Sequence, residues 1–108
     1  MKPMELYLVD IGGGDTKRRP ALLMKWNESK AFIFRITSQY EKKYIHIKEM
    51  YYSIIDWKEA GLNMKSYIDT VRLYDLDINI VTKKDPIGML SKRDRIGLMD
   101  FLNKMNKD

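Results

Sequence analysis

Pro20 divides a cationic run from an apolar one, and this junction constrains the fold more than any other stretch. Lys17-Arg18-Arg19 precede it and Ala21-Leu22-Leu23-Met24 follow. Proline has no N–H to give to a sheet ladder, so it fits the first residue of a strand rather than its middle. It also pushes the preceding residue, Arg19, toward an extended backbone. Just upstream, Gly12-Gly13-Gly14-Asp15 carries almost no side-chain bulk and reads as a loop. The junction therefore predicts a loop over residues 11–17 and a buried strand over 20–26. Arg19 is then fixed at the rim of a sheet, where a phosphate-binding or catalytic arginine is useful and where a plain surface ion pair is equally at home.

Further strands follow from residue type and period. Met4-Glu5-Leu6-Tyr7-Leu8-Val9 is rich in apolar and aromatic residues, and Ala31-Phe32-Ile33-Phe34-Arg35-Ile36-Thr37 follows the turn chemistry of Asn27-Glu28-Ser29-Lys30. Residues 20–37 thus read as a hairpin. Residues 38–43 are polar and read as a loop. Tyr44-Ile45-His46-Ile47-Lys48 alternates like a half-buried strand. Residues 66–74 predict another strand, with Ile68, Val71 and Leu73 facing the core and a bulge where their spacing departs from two. Residues 77–82 read as a shorter strand, broken by Lys83-Lys84-Asp85-Pro86.

Two helical signals complete the chain. Asp56-Trp57-Lys58-Glu59-Ala60-Gly61 resembles one helical turn, with Asp56 capping its start and Gly61 taking a left-handed exit. Residues 91–105 are the clearest helix, opened by the capping pair Ser91 and Asp94. Its apolar stripe reads Ile96, Met99, Leu102 and Met105, and Gly97 weakens it by about 1 kcal/mol relative to alanine. The expected fold is mostly β, of the α+β class: one domain over residues 1–108, closed by a C-terminal helix.

Composition then limits the setting. At 108 residues the chain supports a single modest core. It has no cysteine, which excludes disulfides and thiolate metal sites and suits a reducing cytoplasm. No apolar run approaches the roughly 18 residues of a membrane span, and Met1-Lys2-Pro3-Met4-Glu5 lacks the apolar core of a secretory signal. Twenty Lys and Arg against 15 Asp and Glu give a net charge of +5, which favours an anionic partner, nucleic acid or an acidic protein. No His, Asp and Glu cluster has metal-ligand spacing, so no metal or other cofactor is expected.

The ordered set of fragments resembles the MazF/PemK family of type II toxin–antitoxin toxins. The resemblance rests on the Gly/Asp loop with Lys17-Arg18-Arg19-Pro20-Ala21-Leu22-Leu23-Met24, on Arg35-Ile36-Thr37-Ser38, on Asp56-Trp57-Lys58-Glu59-Ala60-Gly61-Leu62, on Ser66-Tyr67-Ile68-Asp69-Thr70-Val71-Arg72, and on Ile87-Gly88-Met89-Leu90-Ser91. It covers nearly the whole chain in order. It departs at Pro3-Met4-Glu5, where members begin with a basic residue and Gly-Asp, and at Tyr67, where some carry arginine. The resemblance implies a small Src-homology-3-like β-barrel that forms a homodimer and cleaves single-stranded RNA without a metal. It also implies a cognate antitoxin that blocks the RNA groove.

The same resemblance assigns catalytic positions to Arg19, Thr37 and Asp69. Cleavage without a metal requires the RNA's own 2′-hydroxyl to attack phosphorus, and an arginine fork suits the extra negative charge that develops there. Thr37 and Ser38 have hydroxyls to donate to phosphate oxygens, or to spend on backbone groups at the strand end. Asp69 is the family's base position and, chemically, an equally good structural acceptor. Gly13, Gly14, Lys17, Arg18, Ser38 and Arg72 are the expected RNA-binding residues. The glycine run lacks the Gly-Lys-Ser/Thr ending of a nucleotide-binding loop. Trp26, Tyr40, Tyr44, Tyr51, Tyr52 and Tyr67 offer faces for bases, or for core packing. His46 has acid–base chemistry but matches no family catalytic position, and it reads as structural or peripheral. Two rival functions share this fold: an RNA- or protein-binding domain without catalysis, and a CcdB-like gyrase inhibitor. The latter uses an apolar Trp-Gly-Ile tail, whereas this chain ends Met105-Asn106-Lys107-Asp108.

Overall fold

A computed structural model describes residues 1–10, 18–41 and 43–106. The expected loop over 11–17 lies outside these residues. Six strands run in chain order as β1 (Glu5–Val9), β2 (Arg19–Trp26), β3 (Lys30–Thr37), β4 (Tyr51–Ser53), β5 (Tyr67–Asp77) and β6 (Gly88–Met89). Three helices, α1 (Ile45–Lys48), α2 (Ile78–Thr82) and α3 (Lys92–Met105), join them. Every ladder is antiparallel, and the strands lie in the order β4-β5-β3-β2-β1-β6. Among the described residues no ladder joins β4 to β6, so the sheet is open where a closed barrel was expected. Its edge strands are three and two residues long, so β5 beyond Asp69 forms an outer edge of its own. No helix among the described residues is long and apolar enough to cross a membrane.

Strand alternation divides the core between the two sheet faces. Leu6, Leu22, Phe34, Ile36 and Ile68 share one cluster with Tyr52, Ile54, Leu90 and Leu98 of α3. Tyr7, Val9, Ala21, Leu23, Ala31 and Ile33 form the other, closed by Val81 of α2 and the half-buried Tyr74. The hairpin between β2 and β3 turns on Asn27, whose Oδ1 accepts the N–H groups of Ser29 at 2.9 Å and Lys30 at 2.8 Å. β2 begins at Arg19, one residue before the expected start at Pro20, so Arg19 stands at the rim as expected while Pro20 takes the second position.

Three expectations are corrected by packing. Residues 45–48 form α1 instead of a strand, and His46 with them; Ile45 is 69% exposed and only Ile47 turns inward, so the alternation marks no buried face. Residues 78–82 form α2 rather than a strand, because Asp77 caps it by accepting the Asn79 N–H at 2.8 Å and Val81 is buried. In β5 the bulge is present but larger than expected: Arg35 pairs with Asp69 and Ile33 with Tyr74. Thr70, Val71, Arg72 and Leu73 therefore stand against the single residue Phe34. The extra length expels Val71 and Leu73, which are 48% and 41% exposed instead of lying in the core.

The C-terminal helix also turns differently from its expected stripe. Ser91 is the N-cap and accepts the Asp94 N–H at 3.2 Å, as the capping pair requires. Yet Ile96 and Met99 are 54% and 43% exposed, while Asp94 and Leu98 are fully buried. Asp94 is drawn inside by donors from another part of the chain. Its carboxylate accepts the Tyr52 hydroxyl at 2.8 Å, the Ile55 N–H at 2.9 Å and the Asp56 N–H at 2.8 Å. That anchor rotates Leu98, Phe101 and Leu102 toward the sheet. Gly97 lies under Tyr52, and a Cβ there would collide with the phenol oxygen.

The turn over residues 56–61 ends as a helix does, with Leu62 N–H on Trp57 O, Gly61 N–H on Lys58 O and Gly61 at φ 94°. The Asp56 carboxylate does not cap this turn; it accepts from Ser91 at 2.6 Å and from Arg93 at 2.6 Å. Those two hydrogen bonds, Arg93 first, hold its carboxyl below the usual range.

Replacing Asp94 by alanine leaves the Tyr52 hydroxyl and two backbone N–H groups without their acceptor. The expected loss is about 3 kcal/mol or more, measured by urea unfolding. The Tyr7 phenol, pushed up to about 12 by burial and by Glu5, gives a second expectation. A raised folded-state pKa contributes stability below the unfolded value near 10 that is lost as pH rises toward about 12. Tyr7→Phe is expected to flatten that alkaline decline in a pH series of thermal melts.

Candidate phosphate-binding site at the sheet rim

The rim where β2 begins and β3 ends carries a pocket of about 310 Å³. Arg19, Pro20, Thr37 and Ser38 line one side, and Leu62 and Ile87 line the other. Local chemistry explains the meeting. Pro20, the second residue of β2, keeps Arg19 extended at the exposed first rung, while antiparallel pairing of Ala21 with Arg35 brings the end of β3 alongside. Continuing that register by two residues sets Thr37 beside Arg19. Thr37 in turn pairs with Tyr67 of β5.

The Thr37 Oγ1 accepts the Gln39 N–H at 3.1 Å. Its own O–H remains a donor, so the backbone-satisfying role and the ligand-facing role coexist in one hydroxyl. Arg19 is exposed, and among the described residues no ion pair engages it. The rim therefore offers a permanent guanidinium and hydroxyl donors around a space large enough for a phosphodiester group. That combination suits an oxyanion.

Asp69 is not among the pocket's lining residues. It lies one rung inward, paired with Arg35 on one side and Tyr51 on the other. Its carboxylate accepts the Tyr51 hydroxyl at 3.3 Å and the Val71 N–H at 3.0 Å. Burial first, and the Asp69 charge second, raise the Tyr51 phenol above its ordinary value. Tyr67, on the rung beside Thr37, stacks on Tyr40 with centroids 4.3 Å apart and planes at 14°. Lys48 Nζ lies 4.9 Å from the Tyr40 centroid and Lys65 Nζ lies 5.8 Å from that of Tyr67.

The other expected RNA-binding residues are scattered. Arg18 is exposed and lines a separate hollow with Asp10, Ile80, Lys83 and Lys84. Arg72 sits in the β5 bulge, its guanidinium carbon 4.5 Å from the Tyr74 centroid. Gly13, Gly14 and Lys17 lie outside the described residues. Of the aromatic candidates, Tyr51 and Tyr52 are buried and serve packing, whereas Tyr44 and Trp26 are exposed. Among the described residues no group of His, Asp and Glu is placed to hold a metal ion. Arg35 and Tyr74 escaped the sequence reading. The available signal was position: Arg35 precedes Thr37 by two residues and so shares its face of the strand.

Asp69→Asn is expected to lower the Tyr51 phenol pKa while leaving it above the ordinary value, since burial is the larger cause. Titration of the tyrosine ζ-carbon shift reads this directly, and an unchanged Tyr51 curve would contradict the pairing.

No family model matches the chain, and no curated protein matches it.

Proposed function

We propose that this chain is a MazF/PemK-type toxin, a metal-independent endoribonuclease that cleaves single-stranded RNA. The observation that carries the reading is the meeting of Arg19, Thr37 and Ser38 around one pocket at the end of the β2–β3 ladder. The mostly-β architecture with a C-terminal helix is compatible with a curled, Src-homology-3-like variant of the sheet. The net charge of +5 suits both RNA and an acidic antitoxin segment.

In this mechanism the scissile phosphodiester enters the pocket with its non-bridging oxygens toward the Arg19 fork. Thr37 and Ser38 donate their hydroxyl protons to the same oxygens and restrict the phosphate's rotation. The 2′-oxygen attacks phosphorus, the bond to the 5′-oxygen breaks, and a 2′,3′-cyclic phosphate remains. The attacking hydroxyl's proton passes to a water that hands it on to Asp69, whose carboxylate lies outside the pocket's lining, and the leaving 5′-oxygen takes one from solvent. The Arg19 guanidinium acts on developing charge instead of moving a proton. The reading places the protein in the cytoplasm as a homodimer, held silent by a cognate antitoxin that covers the pocket.

Arg19→Ala is expected to reduce cleavage of a long unstructured RNA by about a thousandfold with an unchanged thermal melt. The wild type is expected to cut with a chelator present and to leave 5′-hydroxyl ends beside 2′,3′-cyclic or 3′-phosphates. Full activity in Arg19→Ala would remove that residue from the site. RNA binding without any product would favour the non-catalytic binding domain on the same fold.

A further inference from the structure

A second cationic feature lies on the face of β3 that carries Thr37, and the cleavage chemistry does not use it. Arg35 of β3 and Arg72 of the β5 bulge both approach the ring of Tyr74. Their guanidinium carbons lie 6.0 Å and 4.5 Å from its centroid. Tyr74 is half-buried and packs against the cluster closed by Val81, so it is a fixed post. Arg72 precedes Tyr74 by two residues on β5, and Arg35 follows Ile33, the ladder partner of Tyr74, by two on β3, so each approaches the ring along its own strand.

Neither arginine is spent on an internal partner. Asp69 is the ladder partner of Arg35, yet its carboxylate takes the Tyr51 hydroxyl and the Val71 N–H. Among the described residues no hydrogen bond or ion pair engages either guanidinium. A guanidinium resting on an aromatic ring keeps its N–H edge free for an oxyanion while the ring limits its motion. Two such groups on one ring form a clamp for a tetrahedral anion.

Position selects the anion. Arg35 and Thr37 are alternate residues of one strand, about 7 Å apart on a common face. The extended backbone of a single strand spans such a step between successive phosphates. We infer that Arg35 and Arg72, set by Tyr74, bind the phosphodiester next to the one held by Arg19 and Thr37, so that the nucleic acid strand runs along β3. This rests on the rim pocket holding a nucleic-acid phosphate.

The test uses the full chain and a labelled oligodeoxythymidylate, which has no 2′-hydroxyl and is not cut. Anisotropy across a salt series reads affinity and slope. Arg35→Gln and Arg72→Gln are each expected to weaken binding about tenfold, and the double variant to lower the salt slope by about 0.7 as one phosphate contact is lost. Lys104→Gln on α3 removes the same single charge and is expected to change affinity less than about twofold. Arg35→Lys, which keeps charge and stem, should bind between wild type and Arg35→Gln, and melts confirm that each variant is folded. Glutamine variants that bind like Lys104→Gln would overturn the clamp. If Arg19→Ala abolishes RNA cleavage while Arg35→Gln binds normally, the clamp alone falls. If the clamp variants weaken binding but the wild type cuts no RNA, the clamp stands and the nuclease reading falls. A wild type that does not bind the oligonucleotide removes the clamp, and RNA cleavage alone then decides the nuclease reading.

Discussion

A buried carboxylate holds the architecture together. Asp94 sits at the third position of α3, near the positive end of the helix dipole, and is fully buried. Such burial is costly for a charge unless donors replace the lost water. Here they come from Tyr52 in β4 and from the backbone of Ile55 and Asp56, which lead into the turn ending at Gly61. Ser91 and Asp56 close the circuit from the outside. One side chain thus fixes the roll of α3, the seat of β4 and the start of the segment that carries Leu62 into the rim pocket. The fold and the site depend on the same three hydrogen bonds.

The rim itself is set by backbone restrictions. Pro20 admits no ladder donation and so sits at the very start of β2, one residue after Arg19. Thr37 ends β3 at the neighbouring rung, and its hydroxyl serves the turn to Gln39 while keeping a proton to donate. Inward from this row, the β5 bulge changes which side chains a regular ladder would present. It expels Val71 and Leu73, and Arg72 within it lies against Tyr74.

Much of this was legible in the residues, and the failures have physical causes. β1, β2, β3 and the start of α3 follow from alternation, from Asn27 and from the Ser91 cap. The rim position of Arg19 was legible because a proline follows it, whereas Thr37 was singled out by the family resemblance and its strand end announces only a hydroxyl near free backbone groups. Residues 45–48 and 78–82 were misread because a run of about five residues satisfies strand and helix patterns alike, and burial decides between them. The α3 stripe was misplaced because Asp94, a charged residue, takes a core position that an apolar pattern does not anticipate. Arg35 and Tyr74 were missed because their contact follows from the pairing of Ile33 with Tyr74, a register that depends on two strands and is written in neither alone.

Gly61 has a consequence for how the pocket meets its ligand. Its bare Cα lies against the carbonyl of Ile87, and Gly88 lies equally close to the carbonyl of Ala60. The two stretches forming the far wall are therefore fused backbone to backbone, and β6 ties them to β1. A wall of this kind has no hinge at its base. Widening the pocket would mean drawing apart two backbones that touch, so the width of this cleft is written into the fold and not into its side chains.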